Sequence, residues 1–318
     1  MARIVRPLGF GGPEVLTVQE VDAPTPGAGE VVVQVRAAGV NPLDWKLYSG
    51  AFHDVDDDEK DAAGLSESLP SLGMDCAGVV TAVGSDVENV SVGDEVIVYP
   101  VTSAYADYVT APASSLTPKP ERLGWDEAGG LMLAGLTAEH AVHAAAVRYG
   151  DTVLVHGGAG GVGLVAVQLA VNLGATVIAT AAERNHELVR QLGAVPVVYG
   201  DGLADRVRDA APRGVNAAID TVGSDEALDV SLELVSNPAR IASITGSDRR
   251  FGTGIKLLGY GPGQDAGTEY RASVRGHLAG LAGTGDVHDG EVQSEDELGC
   301  SHERQHPKAS GGRGHRAT

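Results

Sequence analysis

The chain is poor in the features that tie a protein to a membrane, an oxidising compartment or a nucleic acid. Aromatic residues make up only 4% of 318, so the core has to be built from Val, Leu and Ala. The two cysteines, Cys76 and Cys300, are too few for a disulfide framework or a four-cysteine zinc site, which points to a reduced, cytoplasmic setting. No window approaches the ~18 consecutive apolar residues of a membrane span, and the first residues lack the apolar stretch of a secretory signal. Basic residues are scarce as well. Against 43 Asp and Glu stand 23 Lys and Arg, a net charge of −20, which repels nucleic acid and anionic lipid and excludes both as partners of the whole chain. What is abundant is glycine, 44 in all, the mark of many tight turns.

The pattern changes along the chain. Up to about residue 121 the runs are β-rich, as at Val31–Val40, Gly78–Gly84 and Asp94–Tyr99. Asp126 is placed to cap a helix through Leu133, and Thr137–Arg148 continues as alanine-rich helix until Gly150 stops it. Strands are then expected at 152–156, 176–180, 195–199, 217–220 and 240–244, with helices over 162–173 and 186–192. Alternation of short strands with helices predicts an α/β, doubly wound parallel sheet over 122–249. Two segments stand apart. Residues 53–68 carry a run of Asp and Glu and read as a solvated loop; the sixth position counted from Asp54 is Glu59, not the glycine a calcium loop needs. Residues 286–318 hold almost no large aliphatic side chains and are expected to be disordered or loosely attached.

The sharpest motif is His156–Gly163, between an expected strand and an expected helix. Gly158, Gly160 and Gly163 satisfy G-x-G-x-x-G, with Gly161 and Val162 completing the loop. Glycine lets the chain turn tightly, admits a pyrophosphate to the backbone and packs the helix against the sheet, while the helix N-terminus offers amides to the phosphates. A dinucleotide cofactor follows. The second strand ends without an acidic residue, and Glu183-Arg184-Asn185 comes next. Arg184 can pair with a 2′-phosphate, so NADPH is expected rather than NADH, with Glu183 as the group that would hold ribose hydroxyls instead.

Gly39-Val-Asn-Pro-Leu-Asp-Trp-Lys46, Gly73-Met-Asp-Cys-Ala-Gly78, Val92-Gly-Asp-Glu-Val96, Leu136-Thr-Ala138 and the glycine loop, in that order, resemble the medium-chain dehydrogenase/reductase superfamily, in particular its zinc-free quinone oxidoreductases and enone reductases. The resemblance implies a GroES-like β-rich catalytic domain from residues 1–121 and 250–285 around a Rossmann NADP-binding domain at 122–249. Zinc-dependent relatives carry ligands where this chain has Asn41, Met74 and Leu133, so no metal is expected. The resemblance places Asn41 and Thr137 near the nicotinamide, Tyr199 at the adenosine phosphate, and Val222 and Gly246 in loops on the nicotinamide side. It also implies a homodimer joined along the strand near 255–260.

Asp44, Lys46 and Tyr48 are the candidate polar groups around a substrate, and Asp44 could pair with Lys46. Phe52 stands where some enoyl reductases of the superfamily have a proton-donating tyrosine. The expected function is zinc-independent hydride transfer from NADPH to a quinone or to the β-carbon of an α,β-unsaturated ketone. The rival is a non-catalytic dinucleotide-binding or structural member of the same fold, suggested by Phe52 and by an ending that lacks the family's last apolar strand.

Overall fold

A computed structural model describes residues 1–51, 69–245 and 248–288. The sequence runs expected to be strands form two sheets. β1 (Ala2–Pro7) and β2 (Leu16–Val21) make an antiparallel ribbon. β3 (Glu30–Ala38), β4 (Cys76–Val83), β5 (Glu95–Val98), β6 (Tyr108–Pro112) and β7 (Leu116–Pro118) form a second antiparallel sheet, ordered β6-β3-β4-β5-β7. Register shifts between Val32 and Val33 and between Val35 and Ala37 mark bulges in the β3–β4 ladder, which add twist and curl the sheet. Val31, Val33, Cys76, Val80 and Val98 fill its interior.

The second half is a six-stranded parallel sheet: β8 (Thr152–His156), β9 (Thr176–Thr180), β10 (Val195–Val197), β11 (Ala217–Asp220), β12 (Ile241–Ser243) and β13 (Lys256–Leu257), ordered β10-β9-β8-β11-β12-β13. Every residue of β8 and β11 is buried, as helices on both faces require. The architecture is a GroES-like curled sheet joined to a Rossmann-like sheet.

Helices account for most differences from the sequence reading. α1 (Pro42–Tyr48) occupies a segment taken for loop: Pro42 opens it, and Asp44 Oδ2 accepts from the Asn41 amide at 2.9 Å. The helix expected from Asp126 onward is α2 (Trp125–Ala144), which ends at Ala144 rather than Arg148, and Glu127, not Asp126, closes its start by accepting from the Gly124 amide. α2 packs on β3 and β4 on one side and on α3 (Gly161–Asn172) on the other, so it joins the two halves. α4 (His186–Gln191) falls where expected, whereas α5 (Leu203–Ala210), α6 (Asp225–Leu234) and α7 (Thr268–Thr284) were not foreseen. α7 returns to the curled sheet, with Arg275 Nη1 donating to Tyr99 O at 2.7 Å and Ser114 O at 3.0 Å.

Two boundaries move. The parallel sheet extends past residue 249, because β13 pairs with β12. Residues 286–288, assigned above to the tail, are packed: Val287 is fully buried, Gln168 Nε2 donates to His288 O at 2.7 Å, and the His288 amide donates to Gln168 Oε1 at 3.0 Å. The acidic run 54–61, Phe52, Gly246 and residues 289–318 lie outside the described residues. No helix among the described residues is long and apolar enough to cross a membrane.

Candidate active site

The glycine loop links β8 to α3, at the carboxyl ends of the parallel strands where such sheets bind ligands. Gly157 has φ +78°, and its amide donates to Thr180 Oγ1 at 2.9 Å. Close packing dictates two of the fingerprint glycines. A Cβ on Gly158 would lie 2.5 Å from Ala179 Cβ, and one on Gly163 would lie 2.0 Å from Gly157 O. Gly160 and Gly161 are exposed and uncrowded, the nearest atom to a Cβ on Gly161 being Ala134 Cβ at 4.0 Å. The amides of Gly161, Val162 and Gly163 open α3, where no preceding helical carbonyl is available to them. Internal packing thus explains Gly158 and Gly163, while bare backbone at Gly160 and Gly161 leaves a cradle that a diphosphate fits.

The other expected cofactor residues stand on neighbouring strand ends. Arg184 follows β9, is exposed, and makes no ion pair among the described residues. Tyr199 follows β10 and is 56% exposed, on a loop clamped by Arg206, whose guanidinium donates to Val198 O, Gly200 O and Asp201 O. Val222 follows β11, and its side chain approaches the glycine loop: a Cβ on Gly157 would lie 2.7 Å from Val222 Cγ2. Behind it sits a buried pair that the sequence reading missed. Asp220 Oδ1 accepts from the Val222 and Gly223 amides, and Oδ2 from Ser243 Oγ and the Arg250 guanidinium at 2.8 Å. Burial alone would raise the Asp220 pKa, but these donors outweigh it and hold it below the ordinary range.

Asn41 and the turn of α2 that precedes Thr137 are tied together by a residue that the sequence reading quoted without assigning a role. Asp75, fully buried ahead of β4, accepts from Asn41 Nδ2 at 3.1 Å through Oδ1 and from the Leu133 amide at 2.9 Å through Oδ2. One turn further along α2, Thr137 Oγ1 donates to Leu133 O at 2.7 Å. Burial pushes the Asp75 carboxyl up to about 7 against the Leu133 and Asn41 hydrogen bonds. An acid directly before the apolar run Cys76–Val83 was the available sign that it would be buried.

Asp44 does not pair with Lys46. Its carboxylate accepts from the Asn41 amide, the Gly73 amide at 2.9 Å and Tyr105 Oη at 2.9 Å, so it braces the loop around Asn41. The physical reason is α1: at its third position Asp44 turns back on the helix start, while the Lys46 ammonium lies 5.9 Å from the Trp45 ring centroid. Tyr48 is buried, and burial, then the charges of Asp44 and Glu14, raise its pKa so that it keeps its proton. Three histidines of these elements are occupied by packing: His156 meets Ser231 Oγ, His140 meets Asp265 and Arg271, and His143 stacks on Tyr270.

The donor set does not suit zinc. Asn41, Met74 and Leu133 supply neither thiolate nor imidazole, and among the described residues no three His, Cys, Asp or Glu side chains form a group that could hold a metal.

Comparison with known proteins agrees with this geometry. The alcohol dehydrogenase GroES-like domain matches residues 27–147, and the zinc-binding dehydrogenase model matches 161–255. Mouse quinone oxidoreductase is 34% identical over 255 residues, covering 77% of this chain and 73% of that protein. A mycobacterial quinone oxidoreductase structure superposes with a TM-score of 0.71 at 30% identity, covering 90% of each chain. A mycobacterial protein solved in complex with NADPH gives 0.72 at 28% identity, covering 90% of this chain and 87% of that one. With the curled sheet, the six-stranded sheet and the glycine loop in place, the chain belongs to the medium-chain dehydrogenase/reductase superfamily, among relatives of the quinone oxidoreductases.

Proposed function

We propose that the protein is a cytoplasmic, zinc-independent, NADPH-dependent reductase of a quinone or an α,β-unsaturated ketone. The observation that carries this reading is the open backbone at Gly160 and Gly161 beside α2, with an amide, Asn41, where zinc relatives place a ligand, held by the buried acid Asp75. Gly158, Gly160, Gly161, Val162 and Gly163 would hold the diphosphate, Arg184 the 2′-phosphate and Tyr199 the adenosine side. Val222, Gly246, Thr137 and Asn41 would border the nicotinamide. Bound there, the dinucleotide supplies a hydride. Quinones and enones spread the incoming charge onto their own oxygen, so the chain need only orient the ring, exclude water and offer hydrogen bonds. Lys46 is the cation on α1 beside this region, and Tyr48 or solvent would supply the proton.

The test is NADPH consumption across a panel of quinones and enones, before and after chelation. Turnover that survives chelation supports the proposal. Cofactor binding without turnover on any member would favour the non-catalytic alternative, and stoichiometric zinc whose removal abolishes activity would refute the metal-free reading.

We also propose a homodimer along the last strand of the parallel sheet, near residues 255–260. Leu257 and Leu258 are buried within the protomer, and the outer side of β13 is partly occupied by Asp265, whose amide donates to Leu257 O at 2.8 Å and whose carbonyl accepts from the Gly259 amide at 2.9 Å, so association rests on the exposed Phe251 and Tyr260 beside it. A monomeric mass by light scattering at micromolar concentration would contradict it.

A further inference from the structure

We propose that Asp75 is a positioning residue that sets which end of the Asn41 amide faces the site and fixes that amide relative to the Thr137 turn of α2. The inference rests on the reading of Asn41 as a nicotinamide-side residue. A carboxylate can only accept, so the atom Asn41 turns toward Asp75 Oδ1 is the donor, Nδ2, and its carbonyl oxygen is turned the other way. The second carboxylate oxygen is bound to Leu133, whose N–H would in a regular helix serve the carbonyl four residues back. One rigid, two-oxygen group therefore sets the spacing between the Asn41 loop and the helix that carries Thr137.

The surroundings are shaped for this group. Gly39 packs against it so closely that a Cβ there would lie 2.4 Å from Asp75 Oδ1, while the Gly39 amide donates to Asp75 O at 3.1 Å. Burying a carboxylate with no cation against it is costly, and an aliphatic side chain would fill the space more cheaply. Among the described residues, the ionisable groups bearing on Asp75 are Asp44, Tyr105 and Cys76, none of them a cation. The charge is thus poorly explained as a stability element and well explained as a means of orienting an amide.

Asp75→Asn keeps the shape and breaks the logic. Its amide can satisfy Leu133 with its oxygen only by turning an N–H toward Asn41, which obliges Asn41 to flip. The experiment is a double-mutant cycle with Asn41→Ala, read as kcat and KM at about pH 8.5, where the carboxyl is ionised, together with the Asn41 side-chain amide resonances of the whole chain by NMR. The expected result is a fall in kcat of about tenfold or more for Asp75→Asn, less than about twofold in the Asn41→Ala background, with KM moved less than kcat, and displaced Asn41 resonances. Equal losses in both backgrounds, or unmoved Asn41 resonances, would overturn the proposal. Should Asp75→Asn fail to fold, Gly39→Ala presses on the same carboxylate without removing it and is read identically. Absence of turnover in the unmodified protein would refute the reductase reading alone, since the Asn41 resonances still decide the role of Asp75.

Discussion

Alanine substitutions at Gly163 and Gly161 separate what the glycine loop does for the fold from what it would do for a ligand. In Gly163→Ala the new Cβ would lie 2.0 Å from Gly157 O, a backbone atom in a loop bonded to β9, so the start of α3 or the loop has to move by more than an ångström. Overpacking of this kind typically costs ~1–3 kcal/mol, and the upper end applies because the obstructing atom is backbone. At roughly 2–4 °C per kcal/mol the melting temperature should fall by about 6–12 °C. In Gly161→Ala the nearest atom is 4.0 Å away and the position is helical, so stability should rise by ~0.4–1 kcal/mol as the unfolded chain loses freedom. If the open backbone is the diphosphate cradle, the same methyl blocks the approach and NADPH affinity should drop by about tenfold or more, close to 1.4 kcal/mol. Calorimetry and NADPH fluorescence titration on both variants provide the comparison. A Gly161→Ala protein that is more stable and binds NADPH as tightly as before would refute the placement of the cofactor. A Gly163→Ala protein with an unchanged melting temperature would refute the steric argument.

Arg184→Ala should weaken NADPH by ~10- to 150-fold, the ~1.5–3 kcal/mol of a charged hydrogen bond, and leave NADH nearly unchanged; equal losses for both would show that Arg184 does not read a 2′-phosphate. A chain ending at Gly285 should be less stable than one ending at His288 by about 2–4 kcal/mol, because it gives up the buried Val287 and the two hydrogen bonds between Gln168 and the His288 backbone; matching denaturation curves would contradict this. The Asp75 carboxyl rises from 3.8 unfolded to about 7 folded, so the folded state holds the proton more tightly. Its contribution to stability is full below the unfolded value and is lost as pH climbs through about 7, and Asp75→Asn should flatten the melting profile across that window.

The class of fold and the position of the glycine loop were legible in the sequence alone. The strands at 152–156 and 217–220 were legible to the residue because each centres on a short apolar run, Val153–Val155 and Ala217–Ile219, and the loop because its glycines stand at a fixed spacing between a strand and a helix. The short helices α1 and α6 escaped because their apolar faces are narrow and take their partners from distant segments. Tertiary structure alone decided the rest. Whether Asp44 pairs with Lys46 or braces Gly73 and Tyr105 depends on contacts 29 and 61 residues away. The role of Asp75 depends on a helix amide 58 residues further along the chain, and that of Asp220 on an arginine 30 residues on. Periodicity carries information about which face is buried, whereas a buried polar group is defined by the partner that satisfies it, and that partner is chosen by the packing of the whole chain.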